Sequence, residues 1–310
     1  MKNIRNILLF ILISKLNLIA QRPDFLQKDS LKSKMDDSTQ VFYYLKSNLA
    51  KKQPLIVELH SWSNSSHSQT SILAKQTQKK GWNWIFPDFR GVNNHIKACC
   101  SDFAINDIDE TIDWAIKNMN VDGNRIYVVG NSGGGYATLA MYQKSKHNIR
   151  GFSAWSSISD LAKWYDESVD RKNKYGPEIL LCTGSGNLLN KQNAWDRSPI
   201  FWDTPTKKRK NAKLQIFAGI NDGHTGSVPI SHSIDFYNKL LFDFNETNEA
   251  NFVSESESEF LLTRQKITRS GIIYKIDNRE ILFKKSSRNI SITLFDGGHE
   301  ILENVVLDLL

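Results

Sequence analysis

The chain has 310 residues, a formal net charge of +7, 40% hydrophobic and 24% charged residues, which is an ordinary globular composition. It is long enough to bury a core without disulfide staples, and its excess charge is dispersed, which argues against a nucleic-acid-binding surface. The one dense basic cluster, Lys207, Lys208, Arg209 and Lys210, lacks the interleaved aromatics that stack on bases, and it reads as a solvated connector.

At the N-terminus, Lys2 and Arg5 precede an apolar run from Ile7 to Ile13 and a second short run ending at Ala20. A positive segment followed by an apolar stretch too short to span a bilayer predicts a signal peptide over 1–20, hence export to a periplasmic or secreted location. No stable membrane insertion is expected after its removal, and residues 21–310 are expected to form one domain. Residues Gln21 to Asp37 are polar and read as irregular. Strands are then predicted at Val41–Leu45, Leu55–Leu59 and Asn83–Phe86, with a helix through Ile72, Leu73 and Gln76 between the last two. An amphipathic helix is predicted over Asp102–Met119, its apolar face carrying Ile105, Ile108, Ile112 and Ala115.

A buried strand, Ile126 to Val129, runs into Gly130-Asn131-Ser132-Gly133-Gly134 and then a helix-forming stretch, Tyr136 to Gln143. This is G-x-S-x-G in the strand–turn–helix context of a nucleophile elbow, where the turn leaves no room for side chains at the flanks. The next strand is Phe152–Trp155. From Ser159 to Lys213 the alternation weakens and aromatics accumulate (Trp164, Tyr165, Tyr175, Trp195, Phe201, Trp202), which suits either a partly helical cap over a site or a set of peripheral helices. The sheet resumes at Leu214–Ala218, followed by a helix over Ile230–Leu241. An acidic stretch, Asn245 to Glu259, reads as a solvated linker with some helix. Strands at Ile272–Ile276 and Ile281–Lys284 suggest an inserted hairpin, so 245–288 forms one insertion. The last strand is Ile290–Phe295 and the last helix Glu300–Leu309. Strands alternating with helices predict an α/β fold, a mostly parallel sheet with helices on both faces.

A serine hydroxyl needs a base to remove its proton, and that base needs an acid to orient it. After Ser132, the two best-placed partners each follow a predicted strand: Asp222 after Leu214–Ala218, and His299 after Ile290–Phe295. The order Ser, Asp, His is that of α/β-hydrolases. Asp160 and Asp296 compete with Asp222, and His60, His67, His95, His147, His224 and His232 with His299. Oxyanion stabilisation calls for two backbone N–H groups. Gly133 should supply one and the His60–Ser61–Trp62 loop the other, with Trp62 favoured over Ser61. Cys182 can pair with Cys99 or Cys100, leaving one thiol free. No cysteine or histidine spacing suits a metal, and this chemistry requires no cofactor.

GNSGGG, DFRG at Asp88–Gly91, RSP at Arg197–Pro199, GINDGHTGSVPISHS and the closing DGGHE together resemble the catalytic domain of the prolyl oligopeptidase family, from about Pro54 onward. The resemblance implies an α/β-hydrolase fold with Ser132, Asp222 and His299 in the triad positions. The chain departs from the family in having too few residues before Pro54 for a β-propeller, in His60-Ser61-Trp62, and in the acidic insertion. The expected activity is therefore that of a serine peptidase on small peptides, with two alternatives. One is a carboxylic ester hydrolase, including one that deacetylates a decorated glycan. The other, from a different class, is an inactive binding module on the same fold.

Overall fold

A computed structural model describes residues 25–66, 71–264 and 273–310. The signal-peptide expectation over 1–20, His67 and the start of the Ile272 strand lie outside the described residues. In chain order the elements are β1 (Gln27–Lys32), β2 (Thr39–Leu45), β3 (Gln53–Leu59), α1 (Ile72–Lys79), β4 (Asn83–Pro87), α2 (Asp102–Asn118), β5 (Val121–Asn131), α3 (Gly133–Lys144) and β6 (Gly151–Trp155). There follow α4 (Leu161–Asp170), α5 (Tyr175–Cys182), α6 (Lys191–Trp195), a 3-10 turn (Pro199–Phe201), α7 (Thr206–Arg209), β7 (Lys213–Gly219) and α8 (Ser231–Asp243). A second 3-10 turn (Glu249–Asn251), α9 (Glu255–Leu262), β8 (Lys275–Ile276), β9 (Arg279–Ser287), β10 (Ile290–Phe295) and α10 (Glu303–Leu309) complete the described chain.

The strands form one sheet in the order β1-β2-β4-β3-β5-β6-β7-β10-β9-β8. From β4 to β10 all pairings are parallel, while β1, β2, β9 and β8 add antiparallel edges. This is an α/β-hydrolase fold: the alternation of elements predicts its mostly parallel sheet, and the family resemblance implies the hydrolase arrangement. The buried runs of β3, β4 and β6 fit strands covered on both faces. On one face, α2, α3 and α8 pack with Val57, Val128, Phe152 and Ile216. On the other, α1 and α10 cover Ile56, Trp84, Phe86, Val129, Trp155 and Phe217. Each large apolar side chain so buried contributes about 2 kcal/mol.

Three expectations are corrected. Residues 21–37 are not wholly irregular: Gln27–Lys32 pairs antiparallel with β2, from Gln27 opposite Tyr44 to Lys32 opposite Thr39. Its side chains are mostly exposed, so no buried face wrote a period into the sequence. The acidic stretch is docked rather than a solvated linker. Ser254 and Glu257 form a reciprocal capping box at the start of α9, and Glu257 also accepts from Lys285 Nζ at 2.6 Å. Finally, the basic cluster is not wholly solvated. Arg209 is 1% exposed and donates to the carbonyls of Met141 (3.1 Å), Tyr142 (2.5 Å), Ser145 (2.9 Å) and His147 (3.0 Å). Two of those carbonyls, Met141 and Tyr142, lie in the last turn of α3 and a third belongs to its cap Ser145, so one guanidinium caps the helix that follows Ser132. Burial pulls Arg209 down to about 10, where it still carries its charge at neutral pH.

Cys99 pairs with Cys182 across 6.2 Å between Cα atoms, which ties the loop after β4 to the end of α5. Cys100 is the free thiol, and burial pushes it up to about 12.

Glu58 near the end of β3 is buried, accepting from Ser71 Oγ at 2.5 Å and Trp84 Nε1 at 2.7 Å. Burial pushes its carboxyl up to about 7, opposed by the Ser71 bond and reinforced by the nearby Glu303. The folded state thus holds this proton over a range where the unfolded chain has lost it. The contribution to stability is full below the ordinary Glu value of about 4.5 and is lost as pH rises through about 7, on the order of 3 kcal/mol in total. Urea unfolding at pH 5 and pH 8 should show this loss in the wild type, and Glu58→Gln should reduce it markedly. An unchanged pH slope in the variant would refute the assignment.

Candidate active site

The four candidate positions follow β3, β5, β7 and β10, and those strands lie within one run of neighbours, β3-β5-β6-β7-β10. All are parallel, so their carboxyl ends, and the loops after them, gather on one edge of the sheet.

At the end of β5, Ser132 has φ 58° and ψ −119°. A left-handed φ of this kind is a strained state for a residue with a side chain, and it persists only where the surroundings hold it. They do so through Ser132 N–H donating to Trp155 O at 2.9 Å and Tyr136 N–H to Ser132 O at 2.9 Å. A Cβ on Gly130 would lie 2.2 Å from the carbonyl oxygen of Gly134, and one on Gly133 would lie 2.3 Å from the Trp62 backbone nitrogen. The glycines therefore let helix α3 start against the strand and against the loop after β3.

Asp222 and His299 come together. His299 Nδ1 lies 2.8 Å from Asp222 Oδ2, and Asp222 Oδ1 accepts from the backbone N–H of Gly223 (3.0 Å) and Val228 (3.1 Å). The Asp222 carboxylate is fully buried, while His299 is partly open. Ser132 and His299 line one cavity of about 260 Å³ with Trp62, Asn131, Lys174 and Tyr175. No hydrogen bond joins the Ser132 hydroxyl to the imidazole; His299 Nε2 instead lies 3.4 Å from Ser227 Oγ.

The competing residues have other partners. Asp160 caps α4, accepting from Ala162 and Lys163 N–H. Asp296 donates its backbone N–H to Glu280 O beside the β9 edge. His60 is buried against Phe89, ring centroids 3.9 Å apart, with its nitrogens at Ser61 O and Asp88 O, and burial pulls its pKa down. His95 meets Arg90 O, and His147 meets Asp109 O. His224 reaches Leu262 O, and His232 lies between Ser159 and Glu167.

Trp62 is 1% exposed. Its backbone N–H donates to no acceptor among the described residues, whereas its carbonyl accepts from Asn93 N–H at 2.9 Å. Its indole donates to Glu178 Oε2 on α5 at 2.8 Å and packs edge-on to Trp164 of α4, centroids 4.7 Å apart. Trp164 in turn stacks near Tyr175 (4.9 Å) and donates Nε1–H to Ser227 O at 2.9 Å. Of the aromatics expected over the site, Trp164 and Tyr175 are at it, whereas Trp195 and Phe201 are exposed and away from the cavity.

Sequence reading missed Gly226, Ser227, Lys174 and Glu178. Lys174 Nζ lies 2.8 Å from Ser63 Oγ at the cavity. Only the glycine-bounded loop around Asp222 carried any signal for Gly226, where a Cβ would lie 2.3 Å from Asp222 Oδ1 and 2.6 Å from His299 Cβ. Gly226→Ala should therefore lower the thermal midpoint by roughly 2–6 °C. Gly186→Ala, whose added carbon meets open space, should leave it unchanged. Equal midpoints for the two variants in a calorimetric scan would refute the contact.

An α/β-hydrolase-fold family model matches residues 54–176. No curated protein matches the chain. Among solved structures, it is similar to Pyrococcus horikoshii acylaminoacyl peptidase (20% identity, TM-score 0.54, 71% of this chain and 36% of that one). It is also similar to a Mycobacterium tuberculosis puromycin-hydrolyzing peptidase (16%, 0.55, 70% and 34%) and to prolyl oligopeptidase B from Galerina marginata (15%, 0.56, 77% and 36%). The chain thus spans about a third of the length of each of these structures. At these identities the likeness speaks to the fold.

Proposed function

We propose that this chain of α/β-hydrolase fold is a serine hydrolase that works through an acyl-enzyme, with Ser132 as nucleophile, His299 as base and Asp222 as the acid that orients it. The observation that carries the reading is the strained serine sharing a cavity with an imidazole whose Nδ1 is 2.8 Å from a buried carboxylate. A proton held on Nδ1 by Asp222 leaves Nε2 as the acceptor, which is the tautomer a general base needs.

In the proposed cycle, Ser132 Oγ bonds to the acyl carbon as its proton passes to His299 Nε2. The carbonyl oxygen takes up the negative charge, stabilised by the Gly133 and Trp62 N–H groups. His299 then gives the proton to the leaving amine or alkoxide as the old acyl bond breaks. Water repeats the sequence, losing its proton to His299, and the acid leaves as Ser132 regains its hydroxyl. Closing the gap between Ser132 and His299 requires Nε2 to turn from Ser227, an adjustment expected on substrate binding.

Two acyl bonds suit the cavity. The likeness to peptidase structures favours a short peptide, which is the first reading. The small cavity lined by Ser61, Ser63, Asn64, Asn131 and Lys174 favours the second, an ester on a hydroxyl-rich carrier such as an acetylated glycan. Export through the segment 1–20 is part of the same proposal and rests on the sequence.

A fluorophosphonate probe should label wild type at Ser132 and fail to label Ser132→Ala. An unlabelled, folded wild type would overturn the enzyme reading in favour of a binding module. Asp222→Asn should lower kcat about 10³–10⁴-fold with KM little changed. An unchanged rate would remove Asp222 from its role. The ratio of kcat/KM for short peptides against acetyl esters decides between the two substrates.

A further inference from the structure

At the opposite edge of the sheet from Ser132, a cavity of about 640 Å³ opens where β6, β7 and β10 begin. Its lining includes four cations, Arg150, Lys213, Lys284 and Arg288, and no aspartate or glutamate. Among the described residues none of the four makes an ion pair; Arg150 and Lys213 reach only backbone carbonyls, Asn211 O at 3.4 Å and Leu309 O at 2.6 Å. Four like charges around one cavity repel one another, and among the described residues no ion pair offsets that. Lys213 shows the effect: burial lowers its pKa first, and the charges of Lys284 and Arg150 lower it further.

The floor is polar by register. Gln215 of β7 is opposite Ser291 of β10, which is opposite Ser286 of β9. One step along, the row is Phe217, Thr293 and Lys284. A sheet face meant for a covering helix would carry apolar residues at the first row, as it does around Trp155 and Phe295. Here it carries hydroxyls and an amide. The amide, Gln215, is 9% exposed. An adjoining cavity shares Gln215, Ser291 and Lys284 and includes Asp277 and Asp308, the latter already paired with Lys80 at 2.8 Å.

We propose that this cavity is a binding site, separate from the Ser132 cavity, for a small ligand bearing more than one phosphate or sulfate group. Cations spread over separate walls suit several oxyanions better than one. The serine hydroxyls of the floor can donate to those oxygens, and the volume falls within the range of small-molecule sites. The inference does not depend on the catalytic reading.

Isothermal titration at low salt tests it, with tripolyphosphate and a heparin-derived disaccharide as probes and a neutral disaccharide as control. Wild type should bind an anionic probe at one site, and whichever of the two binds more tightly identifies phosphate or sulfate as the group read. Lys284→Ala/Arg288→Ala removes two exposed side chains and should weaken binding about tenfold or more. Arg150→Ala, on another wall, should weaken it independently. Lys51→Ala/Lys52→Ala removes the same charge from an exposed site elsewhere and should leave binding unchanged. No binding by either anion would overturn the proposal. So would equal weakening in the two double variants, which would show attraction to net charge only.

Discussion

The structure depends on how closely helix α3 approaches strand β3 at its carboxyl end. With no side chain on Gly133 or Gly134, the first turn of α3 lies against the backbone of Trp62 and the carbonyl of Leu59; added carbons there would come within 2.3 Å and 2.1 Å. Ser132 takes its left-handed conformation at this approach, and Gly133 lies against the Trp62 backbone nitrogen. The strain at one residue is sustained by contacts with two neighbouring strands, since Ser132 N–H is bonded to β6 and the glycines abut β3 and the loop after it. The far end of α3 is held as firmly, its carbonyls taken by the buried Arg209.

A second set of contacts joins the surrounding loops into one shell. Trp62 touches Trp164 and bonds to Glu178; Trp164 bonds to the Ser227 carbonyl; Cys99 is tied to Cys182. The loop after β3, helices α4 and α5, and the loop carrying Asp222 thus constrain one another. Because Trp164 holds the Ser227 carbonyl while the Ser227 hydroxyl faces His299, the packing of α4 bears directly on the imidazole. The sheet's two edges meanwhile differ in chemistry. One carries a small polar cavity with a single lysine, the other a cavity lined by four cations over a polar floor.

Much of this was legible in the chain itself. The alternation of strand and helix patterns, the glycine-flanked Ser132 after a buried run, and an aspartate and a histidine after later strands each leave a local mark. A parallel strand buried on both faces must be apolar, and a tight turn must be glycine. These are one-dimensional constraints, so the α/β architecture and Ser132, Asp222 and His299 as candidates could be read directly.

What only the tertiary structure decided are features whose partners lie far apart in sequence. Asp222 lies 2.8 Å from an imidazole 77 residues away while Asp160 caps a helix, and Cys99, not Cys100, is paired with Cys182. Arg209, read as part of a solvated cluster, is buried because the end of α3, 67 residues earlier, presents carbonyls that need a donor. Edge strand β1 left no pattern because an edge with exposed side chains imposes no alternation. Local composition records whether a residue is buried or turned; it does not record which distant group it will meet.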